Sequence, residues 1–292
     1  MTSKNFAASM LAAFVLANLV SSVNAEPETG TRSALRVCAD PFNLPMSSKE
    51  TPGYENKIAE LFASKLGIPL EYEWFPQRIG FIRNTLRNND TPDGNYKCDL
   101  VIGVIENFEI ASPTRPYLHS SWAMVYVKGR GLDFIQSQDD LYNLTPQQIE
   151  QLRIGVWDRG PGTDFVYQAG LMEQAIPFQS MSGDARETPG KIIERDLVGD
   201  KINLTFIWGP IAGYYAQSIK DHEIVVIPMR TEPGMRFNFQ ISMAVRFGDK
   251  AWKAQVNEFI EQNQSEIDEI LKDYGVPMKK LIVREIPDDD DD

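Results

Sequence analysis

From residue 35 to residue 274 the chain alternates short apolar runs with segments whose apolar residues recur every three or four positions. That is the pattern of alternating strands and helices. Residues 35–39 read as a strand that stops at Asp40 and Pro41, because proline cannot continue a ladder. In 55–66, Ile58, Leu61, Phe62 and Leu66 share a helical face, and Gly67 supplies the cap. A strand of alternating charge, 70–75, stops at Pro76, and a helix is predicted over 80–88. Residues 98–104 are apolar on both faces, as a buried parallel strand is. This β-α-β-α-β order predicts right-handed crossovers and a parallel sheet.

A further apolar strand, 122–127, runs into Lys128, Gly129, Arg130 and Gly131, a loop with the composition of a domain boundary. A second α/β unit follows. It comprises helix 146–152, strand 153–157, a glycine loop over 158–162 and a helix with Thr163 or Asp164 as N-cap. Residues 189–196 read as helical, 203–208 as a strand, 211–219 as a helix and 223–227 as a strand. Strand 239–246 and a long helix, 251–274, closed by Gly275, complete the pattern. Ligands of open α/β sheets gather beyond the carboxyl ends of the strands. Two such sheets joined by crossing strands would face each other across a cleft.

The ends of the chain add a compartment. Lys4, the apolar run from Phe6 to Val20, and the small residues around Ala25 have the form of an export signal cleaved after about Ala25. A membrane anchor is the competing reading, but the run is short and interrupted, and a span needs ~20 mostly apolar residues. The rest of the 292 residues is too long for one small core and predicts two domains of about 100–150 residues. The net charge of −12 argues against nucleic acid or an anionic membrane as partner. Asp288 to Asp292 form a self-repelling run that reads as a disordered, solubilising tail. An exported chain meets an oxidising compartment, so its two cysteines, Cys38 and Cys98, are expected to pair; two buried thiols are the alternative. With His119 and His222 as the only histidines, no metal-ligand spacing exists, and neither metal nor cofactor is expected.

The order and length of these elements resemble the type II periplasmic substrate-binding proteins, from about Leu35 to Tyr274. A narrower resemblance rests on blocks taken in order. The first runs over 35–41, 54–63 and 74–86, the last of these containing Trp74, Phe75, Pro76, Gln77 and Arg78. The second comprises 98–104, then Thr114, Arg115, Pro116 and Tyr117, then 208–214 from Trp208 through Gly209 and Pro210 to Tyr214. Together they resemble the MoxJ/XoxJ family, binding proteins associated with quinoprotein dehydrogenases.

The resemblance implies an α/β fold of two lobes, each a mixed, mostly parallel sheet flanked by helices, with a central cleft. It implies a signal at 1–25, a first lobe of 26–127 plus 231–283, a second of 128–230, and an acidic tail, 284–292. It places the strands bearing Cys38 and Cys98 side by side, within the ~4.4–6.8 Å between Cα atoms that a disulfide spans. It implies a periplasmic accessory protein of a PQQ-dependent methanol dehydrogenase, acting in maturation or activation. The alternatives are the receptor of an importer for a small solute other than an amino acid and, less favoured, a cleft enzyme of the cyclohexadienyl dehydratase type. Amino-acid-binding members of the wider superfamily carry an arginine after the third strand for the ligand carboxylate and an aspartate in the second lobe for its ammonium. Here Ile105, Glu106, Asn107, Phe108 and Glu109 stand in the first place, and Trp208, Gly209 and Pro210 in the second. An ordinary amino-acid receptor is disfavoured.

Candidate cleft residues follow from the strand ends. In the first lobe they are Asp40, Phe42, Tyr54, Glu55, Trp74, Phe75, Arg78 and Glu106; in the second, Trp157, Thr163, Asp164, Trp208 and Tyr214. The aromatic members, with Tyr215, read either as the lining of a cleft for a small apolar or aromatic ligand or a partner's side chains, or as packing between the lobes. Gly160 to Asp164 reads as a capped turn more readily than as an anion site, since Asp164 itself supplies the negative charge. Arg78, more than Arg83, is placed to anchor an anion. In the least favoured reading, a cleft enzyme, Glu55 and Glu106 would sit at the cleft mouth as a carboxylate pair. No nucleophile or zincin motif accompanies His119 or His222, so a binding protein is expected rather than an enzyme.

Overall fold

The structure is a computed structural model that describes residues 32–92, 94–157, 160–179 and 182–282. The predicted signal, the acidic tail and two residues of the glycine loop, Asp158 and Arg159, lie outside the described residues. In chain order the elements are β1 (Leu35–Ala39), β2 (Phe42–Asn43), β3 (Ser47–Ser48), α1 (Tyr54–Leu66), β4 (Leu70–Trp74), α2 (Phe81–Asn84), β5 (Leu100–Ile105) and β6 (Ser112–Val127). Then come α3 (Pro146–Glu150), β7 (Ile154–Trp157), α4 (Pro161–Gln168), β8 (Ala175–Phe178), β9 (Leu204–Trp208), α5 (Gly209–Ser218), β10 (Ile224–Pro228), β11 (Asn238–Val245) and α6 (Lys250–Asp273).

The strand order is β4-β1-β5-β11-β6-β9-β7-β8, with β10 also on β6. β1 lies parallel to β4 and β5, and β7 parallel to β8 and β9. The long strand β6 joins the two halves. Its first part pairs with β11, and Trp122 to Val127 pair with β9 and β10. The sequence pattern predicted only that last part, as a strand of the first lobe. Pro113 and Pro116 conceal the beginning, and the register of β11 slips beside them, at Ser242 and Ala244. A bulge absorbs a proline that a regular ladder would reject.

Other differences are local. Helix α2 stops at Asn84, where Thr85 leaves the helical conformation (φ −123°, ψ −90°); its hydroxyl donates to the Phe81 carbonyl (2.7 Å) and the Asn84 side-chain amide to that of Gly80 (2.9 Å). The N-cap of α4 is Gly160, not Thr163 or Asp164, with Pro161 in the first turn, where its missing N–H costs nothing. β8 was hidden by Pro177, which an edge strand tolerates. The stretch predicted as helix 189–196 contains a wide, π-type turn, Ile192–Leu197.

The first half packs α1 and α6 on one face of β1, β5 and β11. Phe62 stacks on both Trp252 (5.5 Å between ring centres) and Phe259 (3.9 Å). On the other face Cys38 and Cys98 form a disulfide, with Cα atoms 5.5 Å apart, buried among Phe81, Ile82 and Leu86. Just before β5, buried Asp99 is held by Arg32 (3.0 Å), Arg36 (3.1 Å) and Arg246 (2.9 Å). The second half has its own core around Met124, Phe165, Phe206 and Phe237. No helix among the described residues is long and apolar enough to cross a membrane.

Candidate functional site

The ends of β1, β4 and β5 are tied by one carboxylate and one amide. Asp40 accepts from the backbone N–H of Phe42 (2.8 Å) and of Gln77 (2.6 Å). The Gln77 side chain then donates to the Gly103 carbonyl (3.1 Å) and accepts from Asn43 (3.3 Å). Gln77 was not among the predicted site residues; its position right after Pro76 was the available signal.

Glu55 stands in the first turn of α1, above Gly103. A helix N-terminus favours a carboxylate, but burial outweighs it here. Desolvation, followed by the nearby charge of Asp40, raises the Glu55 pKa to about 8. Gly103 is needed for this fit, because a Cβ there would stand 2.1 Å from Glu55 Oε1. A pair of Glu55 with Glu106 is not the pairing found. Glu106 accepts from Arg236 (2.6 Å) and Gln240 (2.7 Å), and the acid that Glu55 feels is Asp40. Glu106 instead borders a cavity of about 550 Å³ beside the crossing strands, with His119, Arg236, Asn238, Gln240 and Ile282.

Contacts join the two halves across these strand ends. The Arg78 guanidinium donates to the carbonyls of Ser182 and of Asp184 (2.6 Å for the latter), so it holds main chain of the opposite half where an anion anchor was expected. Arg186 lies 5.4 Å from the centre of the Phe42 ring. On α6's side, Tyr274 stacks on Tyr214 (6.1 Å) and meets Tyr54 edge-on (6.2 Å). Tyr54 is buried, which pushes its hydroxyl pKa well up.

The aromatic candidates therefore divide. Trp74 stacks on Tyr72 (4.6 Å) against the first core, and Phe75 packs on the disulfide cluster. Trp208 meets Phe239 edge-on (6.1 Å), opposite Trp122 in the ladder. Trp157 lies beside Phe178 (6.5 Å) on a cavity of about 170 Å³ that includes Lys191 and Arg195. The Thr163 hydroxyl donates to the Trp157 carbonyl, and Asp164 is exposed in the first turn of α4. The structure thus sets Trp74 and Phe75 on two clusters of the first half, and Trp157, Trp208 and Tyr214 together on one cluster of the second.

Two half-sheets sharing a crossing strand, with parallel strands directing loops of each half toward the other, define the fold of a periplasmic binding protein. No protein-family model matches the chain. It is similar to the periplasmic binding protein XoxJ from Methylobacterium extorquens AM1, with 30% identity over 84% of this chain and 99% of that one and a TM-score of 0.65. It is also similar to Protein MoxJ of Methylorubrum extorquens, 26% identical over 87% of this chain and 83% of that protein. Protein MoxJ of Paracoccus denitrificans is 21% identical over 87% of this chain and 92% of that one. The chain belongs to the MoxJ/XoxJ family of periplasmic binding proteins.

Proposed function

We propose that this protein is a periplasmic accessory binding protein of a PQQ-dependent methanol dehydrogenase system, which assists maturation or activation of the dehydrogenase through the cleft between its halves. The observation that carries the reading is the near-full-length similarity to XoxJ, a periplasmic binding protein. Two features of the cleft support it. Where amino-acid receptors place a free arginine, Glu106 is already bound to Arg236 and Gln240. And Arg78 is engaged with main chain of the opposite half, so it does not stand free to clamp a solute's carboxylate.

Deleting the gene tests this. The methanol dehydrogenase activity of the periplasm should fall and recover when the full-length gene is returned. Undiminished activity together with lost uptake of a small solute would instead identify an importer receptor.

A further inference from the structure

Among the described residues, Glu55 is a buried carboxyl without a counter-charge. It is 8% exposed and accepts no hydrogen bond from any described residue. Its oxygens are not sealed, however. The buried polar side-chain atoms closed off without a partner among the described residues are those of Tyr117, Trp157, Asn238 and Ser242. The Glu55 carboxyl therefore keeps a small contact with solvent. Its place is built: Gly103 leaves the room, and the adjacent Asp40 is fixed by two backbone N–H groups.

Among the described residues, the groups whose charge couples to Glu55 are all acids: Asp40 after β1, Tyr54 on α1, Tyr72 on β4 and Tyr117 on β6. Among the described residues, the arginines that reach the same loops are engaged, Arg78 with carbonyls and Arg186 with the face of Phe42. The N–H groups on Asp40 orient it without cancelling its charge. Ionising buried Glu55 beside half-buried Asp40 is unfavourable unless positive charge arrives from outside, so Glu55 keeps its proton until such a charge is present.

We propose that Asp40 and Glu55, set over Gly103, form a subsite for a cationic nitrogen, the ammonium or guanidinium head of a group entering the cleft. The proposal rests on the reading of the cleft as the working surface and names the chemistry it takes. As the head group docks, Glu55 gives its proton to solvent and accepts the ligand's N–H in its place, so charge balances. With a net charge of −12, the chain would draw such a group in. A basic side chain of the docking partner and a free amine share this chemistry.

Calorimetry with butylammonium tests the subsite, with butyrate as control and two buffers of different ionisation enthalpy. Butylammonium should bind and butyrate should not. Each binding event at pH 7 should release ~0.9 proton, and almost none above pH 9, because Glu55 titrates near 8. Affinity should rise roughly tenfold per pH unit below 8. Glu55→Gln, checked for folding by its melting curve, should abolish the proton release; Glu55→Asp should keep it and bind more weakly. Butylammonium that binds no better than butyrate, or binds without releasing a proton, overturns the proposal. Capture of methanol dehydrogenase by Glu55→Gln separates the sources: lost capture identifies a partner's basic side chain, retained capture a free amine. Failure of the wild-type protein to capture the dehydrogenase would count against the docking reading and leave the calorimetric result intact.

Discussion

The two ends of β5 each hold a buried acid, and they are treated in opposite ways. At its start Asp99 is ringed by Arg32, Arg36 and Arg246. Near its finish Glu55, lying over Gly103, meets no cation and no hydrogen-bond donor among the described residues. The first arrangement is complete: the charge is spent on joining the start of the described chain, β1 and the turn after β11. The second is left open, at the end of the sheet where an α/β fold binds its ligands. A buried acid whose charge is compensated belongs to the scaffold; one that must stay protonated leaves a place for a positive charge that arrives later.

The sharpest way to break this contrast is at Asp99. Asp99→Asn leaves three arginines around an uncharged group and should cost about 3–5 kcal/mol, read as a lower denaturation midpoint with an unchanged slope. A loss under about 1 kcal/mol would mean the arginines are solvated and the scaffold role is wrong. At the other end the sign reverses. The folded protein keeps a proton on Glu55 that the unfolded chain releases above its ordinary carboxylate value, so stability falls as pH rises from about 4.5 to about 8. Glu55→Gln should therefore gain stability above pH 8, by roughly 5 kcal/mol at most, and leave it unchanged at pH 4. Melting temperatures across pH for the two proteins would show converging curves in acid; parallel curves would contradict the assignment.

Smaller effects are expected from the residues around the cleft. Trp74→Ala removes a ring stacked on Tyr72 and should lower stability by about 2 kcal/mol, so its melting temperature should drop before any loss of dehydrogenase support. Trp208→Ala, on a separate cluster beside Phe239, should weaken that support with the smaller melting shift of the two. The reverse ranking would exchange their roles. Smallest of all is Arg78→Ala, at about 1 kcal/mol, since its partners are carbonyls on an exposed loop. Its signature is geometric: small-angle scattering should show a wider separation of the halves, and an unchanged profile would remove Arg78 as a fastening.

Much of the scaffold was legible in the sequence. β1 and α1 were marked by Pro41 and Gly67 and by the helical spacing of Ile58 and Phe62, because these depend on neighbours in the chain. The disulfide followed from two cysteines and the compartment, and its distance from the family's layout. β6 was cut short because two prolines mask a strand whose bulges only the partner β11 reveals. The site was read least completely. Asp40 and Glu55 were recognised as cleft residues, but Glu55 was matched with Glu106. That choice turned on Arg236 and Gln240, which approach Glu106 from far along the chain, and no local pattern records them.

The function proposed for this chain requires that its cleft serve a dehydrogenase. The direct measurement is affinity capture: the full-length chain, immobilised after export, is passed through periplasmic extract of its own cells. The account predicts that methanol dehydrogenase is retained and is displaced by added soluble wild-type protein. Retention of a membrane permease in its place, with dehydrogenase only in the flow-through, would contradict it.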